Sequence, residues 1–189
     1  MDVKVIIARF KEDTSWVTKL NHDYLIFNKN EDDVESFQYN LPNKGREGHT
    51  FTNYIVNNYE KLPDYVIFLQ GNPFDHCESV LEKINEFNFS DGFYPLGKTY
   101  VRDVEDILNQ TKEYSEKFGI DLNNEINFIS GAQCIVSKEL ILKREKSSYE
   151  KIRDSFPNVP THLYSYYVEY LWPTILNFND ELKITLYNC

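Results

Sequence analysis

The sequence predicts an α/β domain, a mostly parallel central sheet flanked by helices. Residues 65–69 (Tyr65-Val66-Ile67-Phe68-Leu69) form a short unbroken apolar run between Pro63-Asp64 and Gly71. A run that short, without alternation and bounded by breakers, is the pattern of a strand buried on both faces. Two further short apolar runs precede it, at 3–8 and 24–27. Between the second of these and the central run, Phe51, Tyr54, Ile55, Tyr59 and Leu62 recur at helical spacing. The order to this point reads β-α-β-loop-α-β, the signature of a layered α/β sheet.

Each element follows from its own residues. The first strand, 3–8, ends in Arg9-Phe10-Lys11-Glu12-Asp13, and Asp13 or Thr14 can cap a short helix after it. The run at 24–27 is the next strand, and the acidic segment 31–35 reads as a solvated loop. Residues 41–49 form a loop with two glycines and a cluster of ionisable groups, opening an amphipathic helix over 49–60. After the central strand, Val80, Leu81, Ile84 and Phe87 mark a helix, and 89–97 an aromatic loop. A helix over 103–118 stops at Gly119 in the left-handed region. Strands at 126–129 and 133–136 are joined through Ser130-Gly131-Ala132, and Ser137 caps a helix carrying Leu140, Ile141 and Leu142. Residues 149–156 form a short helix ended by Pro157. Thr161 opens the last long helix, which Pro173 should kink, and 181–187 reads as an edge strand.

Composition bounds the function. With 189 residues, 41% hydrophobic and 26% charged, the chain reads as one folded domain over 1–189 with a substantial core. The net charge of −10 argues against binding nucleic acid or anionic membrane. No apolar stretch approaches the roughly 20 residues of a transmembrane segment, and the first strand is too short for a signal sequence. Cys77, Cys134 and Cys189 lack CxxC spacing, which points to reduced thiols in a cytoplasmic protein. Aromatics reach 15%, with 14 Tyr and 13 Phe; tyrosine suits sugar stacking and also fills ordinary cores.

In open α/β sheets ligands bind at the carboxyl ends of the strands, and three polar clusters are expected there. Arg9, Glu12 and Asp13 follow the first strand. Arg46, Glu47 and His49 lie in the glycine-containing loop. Gln70, Asn72, Asp75 and His76 crowd the turn after the central strand. Arg9 and Arg46 would supply the positive charge a nucleoside diphosphate needs. Asp75 and His76 would hold Mn²⁺ or Mg²⁺, with Gln70, Asn72 and His49 on the substrate. The structural alternatives are a turn whose Asp75 caps a helix, and ordinary surface pairs Arg9–Glu12 and Arg46–Glu47. Glu169 stands apart as a lone carboxylate among Tyr164, Tyr166, Tyr167, Tyr170 and Trp172. Partial desolvation there would raise its pKa and suit a general base; the plain alternative is an outward-facing side chain or a partner for a Tyr hydroxyl.

The strings Ala8-Arg9-Phe10-Lys11-Glu12-Asp13-Thr14-Ser15-Trp16, Leu41-Pro42-Asn43-Lys44-Gly45-Arg46-Glu47-Gly48-His49-Thr50 and Phe68-Leu69-Gln70-Gly71-Asn72-Pro73-Phe74-Asp75-His76 resemble a family of uncharacterised glycosyltransferase-like domains. The segment from Ser130 to Glu139 is similar to the turn, strand and helix start near the acceptor site of GT-A glycosyltransferases. Val168-Glu169-Tyr170-Leu171-Trp172 is similar to a late helix of small capsular-type transferases. The resemblance spans residues 3 to 177. It implies a single GT-A-like (Rossmann-like) domain that transfers a sugar from a nucleoside-diphosphate-sugar donor to a glycan or small acceptor. Arg9, Glu12 and Asp13 would line the nucleotide pocket, Arg46 would lie near the diphosphate, and Glu169 would deprotonate the acceptor. One departure stands out: the GT-A Asp-x-Asp is replaced by Gln70-Gly71-Asn72, so metal ligation shifts to Asp75 and His76 or basic residues replace the cation. The competing expectation is a non-catalytic glycan- or nucleotide-binding module of the same fold.

Overall fold

The computed structural model describes residues 1–89, 92–103, 109–120, 122, 125–159 and 162–176. The chain runs β1 (Val3–Arg9), a 3-10 helix (Ser15–Lys19), β2 (Asp23–Asn28), a 3-10 turn (Glu31–Asp33), β3 (Tyr39–Asn40) and α1 (Arg46–Asn58). Next come β4 (Tyr65–Gln70), a 3-10 turn (Pro73–Asp75), α2 (Val80–Glu86), β5 (Phe93–Pro95), β6 (Thr99–Asp103) and α3 (Asn109–Phe118). Last are β7 (Glu125–Ile129), a turn (Ser130–Ala132), β8 (Cys134–Ser137), α4 (Lys138–Leu142), α5 (Lys146–Ser155) and α6 (His162–Ile175).

The expected mixed α/β architecture with a mostly parallel sheet is present. Six strands lie in the order β3-β2-β1-β4-β8-β5, and β6 and β7 form a separate antiparallel pair. β1 to β4 are mutually parallel, while β8 runs antiparallel to both β4 and β5. The unbroken apolar strands are explained by layers on both sides. On one face Ile6, Val66, Phe68, Cys134 and Val136 pack with residues of α1, α5 and α6. There the Phe68 ring centroid lies 4.7 Å from Phe51 and 5.6 Å from Trp172. On the other face Val5, Ile7, Ile67, Leu69 and Ile135 meet Trp16, Val17, Val80 and Ile84. Alternate residues of one strand thus enter two cores, and no position is left for water.

Several boundaries differ from expectation for local reasons. α1 opens at Arg46, three residues before the expected start, because Gly45 (φ 60) and Arg46 (φ 45) turn the chain through left-handed conformations directly into the helix. Arg46, Glu47, Gly48 and His49 are therefore its first turn and not a loop. β5, of three residues, falls inside a stretch expected as a loop, and β3, of two, inside a stretch given no element. Residues 99–103 form a strand ahead of the helix expected over 103–118. α6 continues past Pro173 to Ile175; the proline comes so late that its missing N–H costs the helix little of its length. Gly119 (φ 66) does end α3, and the Ser137 hydroxyl accepts from Leu140 N–H as the cap of α4. The expected edge strand at 181–187, Thr161, Cys189 and the hydrophobic residues Val104, Ile107 and Leu108 lie outside the described residues. Among the described residues no helix is long and apolar enough to cross a membrane, and Cys77 and Cys134 are buried and not joined in a disulfide.

Candidate functional site

The strand order reverses its direction of growth between β1 and β4, since β2 and β3 lie to one side of that pair and β8 and β5 to the other. In parallel sheets such a switch point opens a crevice at the carboxyl edge, between the two strand ends. Here those ends are Arg9 and Gln70, on neighbouring strands and one residue out of register. β8 begins beside the end of β4, with Cys134 opposite Phe68. That register brings the Ser130–Ala132 turn against Gln70. Gln133, fully buried, locks the junction: its Oε1 accepts from Gln70 N–H at 3.1 Å, and its Nε2 donates to Pro73 O at 3.2 Å and Leu96 O at 3.1 Å.

Glu169 of α6 reaches this edge. Its Oε1 accepts from Gly131 N–H at 2.6 Å, a short charge-assisted bond. Gly131 (φ 74) has no room for a side chain, since a Cβ there would stand 2.6 Å from His76 Cδ2 and 3.2 Å from Gln70 Cδ. Glu169, Gly131, His76 and Gln70 are therefore contiguous. Glu47, from the first turn of α1, lines the same small cavity as Glu169, together with Gly48, Ala132, Ser165, Val168 and Trp172. Burial and then the Glu47 carboxylate push the Glu169 pKa up to about 7, against the lowering effects of the Gly131 N–H and Arg46. Burial likewise pushes His76 down, so its imidazole is neutral at neutral pH.

Arg46 connects the group to solvent. Its Nε lies 3.6 Å from Glu47 Oε2, and its side chain is 41% exposed while Glu47 is only 7% exposed. The surface pair that sequence offered as the structural alternative is thus half interior. The Arg46 guanidinium also sits 5.6 Å from the ring centroid of Tyr166, over its face. Burial opposes its charge, but Glu47, the Tyr166 hydroxyl and Glu169 outweigh burial and raise its pKa. Asn72 is half-buried and Asp75 is exposed on the turn after β4. Among the described residues no three His, Cys, Asp or Glu side chains converge as a metal cluster.

The remaining expected residues serve the walls of the edge. Arg9 donates to Glu12 O at 3.0 Å and Asn28 Oδ1 at 2.8 Å, pairs with Asp33 at 3.2 Å, and lies 4.3 Å from the Phe37 ring centroid. Its guanidinium ties β1 to β2 and to the turn after it. The Glu12 carboxylate accepts from Phe10 N–H at 2.6 Å and Lys11 N–H at 3.1 Å, and a Cβ at Gly71 would stand 2.6 Å from it. It covers the end of β4 on the opposite side from Glu169. Asp13 accepts from the Ser15 N–H and hydroxyl, each at 2.9 Å, which hold its pKa below the usual carboxylate range. His49 is 3% exposed and edge-on to Phe156, with a centroid separation of 5.7 Å. Burial, then the charges of Lys29 and Lys44, lower its pKa to about 3. It faces the interior of the α1–α5 junction and not the open edge.

Gln133, Gly131, Tyr166 and Lys29 were not singled out by sequence as members of the site, and Glu47 was named in the Arg46 cluster without a role of its own. Glu47 carried the one usable signal, a carboxylate at helical spacing from Thr50 and Phe51 on the buried side of α1.

Residues 5–91 match the model of a family described as "Protein of unknown function (DUF3431)". That segment is similar to the family from β1 to the end of α2; the Ser130–Ala132 turn, Gln133 and Glu169 lie beyond it. No curated protein and no solved structure matches the chain.

Proposed function

We propose that the chain is a glycosyltransferase that moves a sugar from a nucleoside-diphosphate donor to a glycan or small hydroxyl acceptor, with Glu169 as the general base. The observation that carries this reading is the Glu169 carboxyl group, with its pKa raised to about 7, set at the switch-point edge of a 3-2-1-4 sheet. A base with that pKa is half-deprotonated at neutral pH and strong enough to take a proton from an alcohol as the new bond forms. Burial and Glu47 set its strength, and the Gly131 N–H fixes one oxygen so that the other is free to face the acceptor.

Arg46, 41% exposed yet oriented by Glu47 and Tyr166, would neutralise the leaving diphosphate. Gln70 and Asn72, at the end of β4, would bind donor hydroxyls between the two walls. Arg9, Glu12 and Asp13 would shape the nucleotide side through backbone and side chains already fixed by internal bonds. A divalent cation would be carried mainly by donor phosphate oxygens, with Asp75 and the neutral His76 as its protein ligands; such a cation supplies charge neutralisation of the diphosphate. The GT-A relationship, the nucleotide-sugar donor and a cytoplasmic setting belong to this proposal.

A non-catalytic nucleotide- or glycan-binding module is favoured by one observation, the engagement of Arg9 in five internal interactions. Thermal unfolding with uridine and guanosine diphosphates, with and without Mn²⁺, tests the site. A diphosphate at about 100 times its dissociation constant should add roughly 2.7 kcal/mol of stability. Arg46→Lys should weaken diphosphate binding about tenfold and leave nucleoside binding unchanged, because lysine cannot grip two oxygens at once. Asp75→Ala should remove whatever part of the response depends on Mn²⁺. Equal stabilisation by nucleoside and diphosphate in the wild type would contradict a diphosphate site at Arg46. Slow hydrolysis of a sugar nucleotide without acceptor separates the enzyme from the binding module.

A further inference from the structure

Lys29 is the residue directly after β2, and its side chain is almost wholly inside, 3% exposed. Lysine is rarely buried without a carboxylate in direct contact. Its ammonium instead donates to two backbone carbonyls, those of Lys44 and Arg46. Its backbone N–H is also fixed, donating to Arg9 O at 2.9 Å. The two carbonyls bracket Gly45, so one ammonium spans a turn made of two successive left-handed residues, Gly45 (φ 60) and Arg46 (φ 45).

That turn is strained in a way its own residues do not relieve. A positive φ is unfavourable for arginine. At Gly45 a Cβ would collide with Phe156 Cδ1 at 2.3 Å, so only glycine allows α5 to close over it. No side chain caps the start of α1. The direction in which Arg46 and Glu47 leave the turn therefore depends on what holds the carbonyls on either side of Gly45. Glu47 is the carboxylate whose charge acts on Glu169, and it acts on Lys29 as well. The charged or titratable neighbours of the ammonium are Glu47, Lys44 and His49.

We infer that Lys29 is a positioning residue: its buried ammonium clips the Lys44 and Arg46 carbonyls together and thereby fixes the left-handed turn that delivers Arg46 and Glu47 to Glu169. The inference rests on the geometry of the turn and stands whichever reaction the edge supports. Burial pushes the Lys29 pKa down to about 7, and a neutral amine still has two N–H groups for the two carbonyls.

The test follows the Glu169 carboxyl carbon by NMR through a pH titration, assigned by its disappearance in Glu169→Gln. Lys29→Met keeps the length of the side chain and removes every donor. If the clip holds the turn, the folded Lys29→Met protein should show a Glu169 midpoint at least about one pH unit lower, because Glu47, the larger charge effect on it, is no longer held opposite. The amide signals of residues 44–48 should shift while those of α4 do not. Lys29→Gln, a milder change that keeps an N–H₂ group, provides the same reading if the Met variant does not fold. An unchanged or higher Glu169 midpoint in a folded variant overturns the inference. Loss of the fold in both variants also overturns it, since Lys29 would then serve the whole core and not the turn.

Discussion

At the scale of single residues, Glu169 shows how a helix position becomes chemistry. α6 is otherwise aromatic and aliphatic on its inner side, with Tyr164, Tyr167, Val168, Leu171 and Trp172 all buried. A carboxylate at the border of that face loses water without gaining a cation in contact, and its pKa rises to about 7. This much was legible, because a lone acid in a Tyr- and Trp-rich helix is an anomaly in the sequence itself. Glu47 was less legible: its neighbour Arg46 suggested a surface pair, and only the left-handed turn at Gly45 shows why the acid goes inward. Lys29 was not legible, since Asn28-Lys29-Asn30 reads as a polar loop and its carbonyl partners are 15 and 17 residues away. The raised pKa of Glu169 has a thermodynamic consequence with a definite sign. Below its ordinary pKa of 4.5 the group is protonated folded or unfolded, and its contribution to stability is fully present. As pH rises to about 7 the unfolded chain ionises first, and that contribution is lost, on the order of 2–3 kcal/mol from this one group. Glu169→Gln should therefore unfold at higher urea concentration than the wild type at pH 8, with the difference shrinking at pH 5. Equal midpoints for the two proteins at pH 8 would contradict the desolvated carboxyl.

At the scale of elements, the sheet was readable and the edges of its elements were not. β1, β2 and β4 announce themselves because strands facing two cores must be apolar throughout. β3 and β5 are too short to show any period, and their pairing is set by β2 and β8 alongside them. The start of α1 was displaced because helix onset there is dictated by a left-handed turn and not by a side-chain cap. The Ser130–Ala132 turn looked like a simple linker of small residues. In the structure it is the hinge of the site, because the register of β8 on β4 places Gly131 between His76 and Glu169. Gly131→Ala should lower stability by about 1–2 kcal/mol for the left-handed conformation alone, and more because the new methyl meets His76 at 2.6 Å. It should also raise the Glu169 pKa further, by pulling away the N–H that stabilises the ionised form. Gly119→Ala is the control, since Gly119 has φ 66 but nothing within 4 Å of a Cβ. Urea unfolding of the two variants compares them directly, and an equal loss in both would show that Gly131 is not a crowded contact.

At the scale of the whole molecule, the order β3-β2-β1-β4 fixes where a ligand can enter, and the two walls of that crevice differ in character. The wall at β1 is saturated by its own bonds through Arg9, Glu12 and Asp13. The wall at β4 gathers Gln70, His76, Glu47, Arg46 and Glu169, and of these His76, Arg46 and Glu169 have shifted pKa values. Residues of three separately read sequence clusters lie along one edge, His49 excepted, but Glu169 and Gly131 join that edge through long-range packing, about which local patterns carry least information. On a chain of net charge −10, Arg46 is a partly exposed positive charge at that edge. The account comes down to whether Glu169 moves a proton. Turnover of uridine- and guanosine-diphosphate sugars, measured from pH 5 to pH 9 in wild type and Glu169→Gln, answers that. The wild-type rate should climb with pH through a midpoint near 7, and the Gln variant, folded and at least as stable as the wild type, should run at least about 100-fold slower without that rise. A folded Glu169→Gln protein that turns over at the wild-type rate would contradict the account.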